Sequence, residues 1–369
     1  MERLSNKIKR RHFHTFDALR FFAFFKVFLL HIPIIAFPWF NFIRAGGGIG
    51  VQFFFVLSGF LITYIICEEK QQTGKLDLKN FFVRRMLRIW PLYYLMVLVA
   101  YITPFILSHF LHLNSSPEGY EPQLWVSMLF LENYKMMITH SHANVSPLSV
   151  MWSLCIEEHF YLIWGLLLYR LNIKALPRVL AFCILLAFVC RCIYVQHNIP
   201  TSDILTNIDL FAYGAIPAYL LITYKDRFEK YILNIPLLIK WLFLLGLIAA
   251  VQVFSQFDGD DRPFIWMTSI LGILFAGLLC IVIPAASSIC ISDENVLTKA
   301  GIYTYGLYMY HTLIINLLRQ VFLKLGWDYE QAGMAVMFFL LSLGLSFICA
   351  IVSYKLLELP FLKLKRYFR

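Results

Sequence analysis

About ten apolar runs long enough to cross a bilayer govern what this 369-residue chain can fold into. They lie near residues 17–38, 46–67, 90–111, 148–169, 179–196, 204–223, 235–254, 264–285, 302–323 and 333–356. Hydrocarbon offers backbone N–H and C=O groups no partner, so runs of this length close their own hydrogen bonds as helices. The reading is an all-α, polytopic integral membrane protein with about ten transmembrane helices. A composition 60% hydrophobic and only 15% charged, with mean hydropathy +0.70, is too apolar for a soluble domain. A weaker stretch over 124–131 is too short to span and reads as interfacial or re-entrant. The start is basic and polar, and the first apolar run is too long and too charged for a cleaved signal peptide.

Lysine and arginine placement sets the orientation. Ten spans with both termini cytoplasmic put 22 of the 32 Lys and Arg inside, four outside (Arg44, Lys135, Arg262, Lys324) and six within spans. An eleventh span at 124–131 would move Arg170, Lys174 and Arg178 outside and spoil that asymmetry. The net charge of +10 is therefore the positive-inside bias, and no nucleic acid is needed to explain it. Residues 1–15 form a basic cytoplasmic segment, 16–361 one membrane domain, and 362–369 a basic cytoplasmic tail. All eight cysteines map to spans or to the cytoplasmic side, and Cys190-Arg191-Cys192 lacks zinc-ligand spacing, so neither a structural disulfide nor a metal is expected.

Against this background the ionisable residues inside spans stand out, because each is costly in hydrocarbon unless it faces protein or a wet cavity. The first span carries Asp17, Arg20 and His31. Eleven helical residues advance about 1100°, roughly 20° past three turns, and about 16 Å, so Arg20 and His31 share a face at two depths. The connection over 68–89 ends in a basic amphipathic stretch in which Arg84, Arg85 and Arg88 stand against Phe82, Met86 and Ile89. It serves either as a membrane anchor of snorkelling arginines or as an anion site built from guanidinium forks. The fourth span opens with Glu157, Glu158 and His159 within one turn, where interhelical pairing with Arg191 or Lys26 is the plainer alternative. The ninth places His311 in a tyrosine-rich helix, where a packing hydrogen bond competes with a chemical role.

Six motifs follow one another in register over residues 16–361. They are Asp17-x-x-Arg20 with His31, the run 50–60 (GVQFFFVLSGF), and 84–93 (RRMLRIWPLY). The others are 152–161 (WSLCIEEHFY), the Tyr-Gly-Leu-Tyr-x-x-His run ending at His311, and Glu358-x-Pro360. Together they resemble the membrane-bound acyltransferase family 3 over nearly the whole chain. One departure is Thr304 before Tyr305, where members usually have serine. The resemblance implies an integral O-acyltransferase, in a bacterial cytoplasmic membrane, that takes an acyl group, usually acetyl, from cytoplasmic acyl-CoA. The implied acceptor is a hydroxyl of a cell-surface polysaccharide, a lipid-linked sugar or another envelope component. Some members add an extracytoplasmic esterase-like domain. The sequence stops at Arg369, so the expectation here is transfer completed by the membrane domain or by a separate partner.

The residues fit that chemistry. Acyl-CoA is a large anion with its thioester on a long arm. Arg84, Arg85, Arg88 and Arg20 supply cations near the cytoplasmic surface, and His31 lies about 16 Å deeper, comparable to an extended pantetheine arm. A neutral His31 can take the acceptor's proton as general base or carry the acyl group itself. Glu157 or Glu158 can orient the ring, and Asp17 can hold Arg20 through an i,i+3 pair. Ser58 is available as a nucleophile, although small residues in spans usually serve close packing. Two other functions share these features: a proton-coupled exporter of an envelope precursor, and an acyltransferase for a small-molecule acceptor at the inner face. The arginine cluster and the Arg20–His31 face favour a CoA enzyme over an exporter.

Overall fold

Ten helices of 17 to 33 residues make up the bundle in the computed structural model, which describes residues 11–110, 119–257 and 261–368. They are α1 (Thr15–His31), α2 (Gly48–Thr73), α3 (Leu78–Phe110), α4 (Trp152–Arg170), α5 (Leu176–Gln196), α6 (Ile204–Thr223), α7 (Leu237–Ser255), α8 (Asp261–Val282), α9 (Thr304–Lys324) and α10 (Ala332–Ser353). Each overlaps one of the predicted apolar runs. The described residues contain no strand, only an isolated bridge between Tyr120 and Ala143. The expected basic segment 1–15 is described from residue 11 and the tail 362–369 up to residue 368. The remainder of both, with 111–118 of the expected external segment, lies outside the described residues.

Seven helical stretches are long and apolar enough to cross a membrane, and they contain α2, α3, α5, α6, α7, α8 and α10. The remaining three of the expected ten are α1, α4 and α9. They are less apolar for a reason: they carry Asp17, Arg20, Lys26 and His31; Glu157, Glu158 and His159; and His311 and Arg319. The stretch at 124–131 forms a five-residue helix, Leu124–Met128, that turns Leu124, Trp125 and Met128 outward. It is too short to span.

Successive helices alternate in direction, which gathers their ends into two groups. Lys70, late in α2, donates to the carbonyls of Leu168 and Leu171 after α4 at 2.8 and 2.6 Å. Arg84, early in α3, reaches the Phe368 carbonyl at 2.7 Å. Both ends of the described chain therefore lie at this end, the termini end. At the far end, Arg44 donates to the Ile32 carbonyl at 2.7 Å, and Gln256 at the end of α7 to the Phe42 carbonyl at 3.2 Å.

The scaffold is tightest where α2 crosses α6. A Cβ on Gly59 would stand 2.1 Å from the Phe211 carbonyl oxygen, and one on Gly214 would stand 1.8 Å from that of Val56. Only glycine allows backbones this close, the device membrane helices use where no hydrophobic effect drives them together. Beside this crossing, Arg191 of α5 makes a fork to Asp209 of α6 at 2.8 and 2.7 Å, with both side chains fully buried. The carbonyls of Thr206 and Ile265 and the Ser269 hydroxyl take its remaining donors. Arg191 is thus committed to Asp209 and not to Glu157 or Glu158, while Lys26 donates to the Ile43 carbonyl at 2.7 Å.

At its end α10 departs from regular geometry. Residues Tyr354–Glu358 form a π-helical turn before a further α-helical turn, Leu359–Leu364. Pro360 has no N–H to give the usual i→i−4 bond and its ring crowds that carbonyl, so the preceding turn widens. This turn brings Glu358 and Tyr354 to the wall of the cavity described next.

Candidate active site

A cavity of about 470 Å³ enters the bundle at the termini end and runs between α1, α2, α3, α4, α9 and the extension of α10. Its lining includes four cations (Arg20, Arg85, Arg88, Lys365) and three carboxylates (Asp17, Glu157, Glu358). Tyr161, Tyr305, Tyr308 and Tyr354 add aromatic wall with hydroxyl tips. Helical periodicity explains how one short segment supplies two of the cations: Arg85 and Arg88 are three residues apart and so share a face of α3.

Arg84, the third expected member of that cluster, is placed elsewhere. It forms an ion pair with Glu69 at 2.8 Å, both side chains at most 7% exposed, and lies off the cavity. The Asp77 N–H donates to the other oxygen of the same carboxylate at 2.9 Å. Arg84 therefore fastens the α2–α3 hairpin to the chain's C-terminal turn, and the expected arginine triplet is a pair of cavity residues plus a staple. Asp17 and Arg20 form the expected i,i+3 ion pair on the cavity wall.

The paired glutamates of α4 also divide, because consecutive helical residues point about 100° apart. Glu157 faces the cavity and accepts from Tyr161 at 2.8 Å and from Ser58 at 3.1 Å. Ser58 is thereby a hydrogen-bond donor to a carboxylate. Glu158 is not among the lining residues; Trp90 donates to it at 3.4 Å. Glu358 is 7% exposed, and its Oε1 has no hydrogen-bond partner among the described residues. The signal for Glu358 was its Glu-x-Pro context, and for the tyrosines their density in α9.

His31 and His311 meet. Nδ1 of His31 lies 3.3 Å from Nε2 of His311, with the rings nearly perpendicular and their centroids 4.8 Å apart. Each Nδ1 faces a backbone carbonyl four or three residues earlier, His31 that of Val27 at 2.9 Å and His311 that of Tyr308 at 2.7 Å. A carbonyl only accepts, so both Nδ1 atoms carry hydrogen and a neutral His31 keeps its Nε2 lone pair free. His311 is fully buried. The ring-orienting partner expected from Glu157 or Glu158 is instead His311 with the Val27 carbonyl. His31 does not line the cavity; the pair abuts it through Tyr308, whose ring centroid is 5.7 Å from that of His311. The Tyr308 hydroxyl stands 2.7 Å from Ser153 Oγ and donates to the Val150 carbonyl at 2.9 Å. Cavity and histidine pair together set cations at the termini end and a nitrogen base at the last residue of α1, against His311 of α9.

One further grouping has metal-ligand composition, His12 and His14 on Asp293 at 3.1 and 2.6 Å, exposed at the termini end. With Arg11 bonded to Glu229 and to the Ile283 carbonyl, it straps the segment before α1 to neighbouring loops.

Residues 13–355 match the family described as an acyltransferase domain, acyltransferase 3. The peptidoglycan O-acetyltransferase OatA of Listeria monocytogenes is 27% identical over 97% of this chain and 57% of its own length. The Staphylococcus aureus O-acetyltransferase OatA is 24% identical over 98% of this chain and 59% of itself. YrhL of Bacillus subtilis is 27% identical over 95% and 55% respectively. The chain thus spans rather more than half the length of these relatives. No solved structure matches it. With six motifs in register and a match over nearly its whole length, the chain belongs to the acyltransferase 3 family.

Proposed function

We propose that this membrane protein moves an acetyl group from cytoplasmic acyl-CoA to a hydroxyl of a cell-envelope glycan, with peptidoglycan as the favoured acceptor. The observation that carries the reading is the set of cavity cations, Arg20, Arg85, Arg88 and Lys365, in a cavity that the His31–His311 pair abuts through Tyr308. A polyanion with a long neutral arm matches a cation-lined cavity with a nitrogen base beside it. The lysine and arginine distribution supports a cytoplasmic termini end, and the names of the relatives favour peptidoglycan as acceptor.

The chemistry follows from the tautomers. The acceptor hydroxyl gives its proton to Nε2 of His31 as its oxygen attacks the thioester carbonyl. The C–S bond breaks, and the CoA thiolate takes the proton back from the imidazolium. The charged His31 shares its Nδ1–H with His311 Nε2, which stabilises the cation formed in the transition state. Ser58 is not needed as a nucleophile.

The test is a single-turnover assay on purified protein with acetyl-labelled acetyl-CoA and a soluble peptidoglycan fragment. The reading requires labelled fragment and no label on protein quenched before acceptor is added. Labelled protein in that quench would replace direct transfer by an acyl-histidine route, and an unlabelled fragment would reject the function.

A further inference from the structure

A second cavity, of about 290 Å³, lies at the far end of the bundle. Its position follows from which helix ends line it: the start of α2 (Gly48, Gln52), of α4 (Trp152) and of α8 (Phe264, Thr268), with Phe254 from the end of α7. It meets the first cavity at a thin partition. Val51 and Phe55 line both, and Trp152 on this side is followed by Ser153 and Leu154 on the other. Its size is close to the low end of the range small-molecule pockets occupy, about 300–1,000 Å³.

The lining chemistry is distinctive. Among the described lining residues there is no Lys, Arg, Asp or Glu. An anion such as CoA therefore has no counter-charge here. Its polar atoms include acceptors that no protein donor fills. Gln52 Oε1 has no hydrogen-bond partner among the described residues. Thr268 spends its proton on the Phe264 carbonyl at 2.9 Å, leaving oxygen lone pairs. The Asn207 amide is likewise used up on the Thr201 and Asp203 carbonyls at 2.9 and 2.8 Å. Such a wall calls for a ligand that brings hydroxyl or amide hydrogens. Trp152, Phe254 and Phe264 add flat apolar faces, onto which the C–H faces of a sugar ring fit.

We infer that this far-end cavity is the acceptor subsite, built for one uncharged sugar unit whose hydroxyl and amide hydrogens meet Gln52 and Thr268 and whose ring lies on the aromatic wall. The inference rests on the acyl-transfer reading for the identity of the acceptor, and on the cavity's own lining for its ligand class. Donor and acceptor then occupy oppositely facing cavities that share the Val51–Phe55–Trp152 partition.

The probes are chitotetraose, a neutral N-acetylglucosamine oligomer, and acetyl-CoA, each titrated by calorimetry into the full chain in nanodiscs. Gln52→Leu and Trp152→Ala should each weaken saccharide binding about tenfold while leaving acetyl-CoA affinity as it was. Trp152→Phe, which keeps an aromatic face, should recover part of the loss. Saccharide affinity unmoved by Gln52→Leu and Trp152→Ala overturns the assignment. So does joint loss of both ligands, which would mark these residues as supports of the fold. Failure of the wild-type chain to bind acetyl-CoA would count against acyl transfer alone, because saccharide binding sensitive to Gln52 and Trp152 would still uphold this site.

Discussion

The two ends of this bundle use arginine in opposite ways. At the termini end, Arg20, Arg85 and Arg88 line a cavity of about 470 Å³. At the far end, beside a neutral cavity of about 290 Å³, Arg191 is spent on Asp209, Ser269 and two carbonyls. Both solutions answer the cost of charge away from water. One keeps the charge on a cavity wall, with Arg20 beside Asp17; the other neutralises it deep within the protein. A buried arginine therefore says little until its partners are known. Arg84 makes the same point at the termini end, where its pairing with Glu69 takes it out of the anion site.

The largest effect expected from this contrast is on stability. Asp209→Ala leaves a fully buried Arg191 without its carboxylate, which should cost about 3–5 kcal/mol and show as a large fall in thermal midpoint. A variant as stable as wild type would mean that Arg191 is not a structural charge, and the contrast would fail.

Next is the histidine that abuts the cation-lined cavity through Tyr308. His31→Ala should lower acyl transfer at least about 10²-fold with the protein still folded and still binding acetyl-CoA. Near-full activity would remove His31 from the mechanism.

Smaller effects belong to the cation-lined cavity at the termini end. Arg88→Ala should weaken acetyl-CoA binding about tenfold at low salt and less at high salt, with lysine restoring only part of it because it lacks the fork. An unchanged affinity would turn the cations of this end into a membrane anchor.

Most of the charged lining at the termini end was legible in the sequence because charge in or beside an apolar run is conspicuous. Asp17, Arg20 and Glu157 were found that way, and Arg85 and Arg88 as a basic amphipathic stretch just before a span; all five line the cavity. What spacing along one helix does not tell is which long-range partner each charge meets. Arg84 with Glu69, Arg191 with Asp209 and His31 with His311 are 15, 18 and 280 residues apart in sequence. Glu157 and Glu158 were inseparable until helix packing chose between their directions. The far-end cavity was not legible, because Gly48 and Gln52 of α2, Trp152 of α4 and Phe264 and Thr268 of α8 read as ordinary packing residues of three helices far apart in sequence.

The central claim is that donor and acceptor meet from opposite faces of the membrane. It is tested most directly in proteoliposomes of one orientation, with acetyl-CoA confined to the termini side and a membrane-impermeant peptidoglycan fragment to the far side. The account predicts acetylated fragment on the far side, lost in His31→Ala. Product formed only when both substrates share the termini side would contradict it.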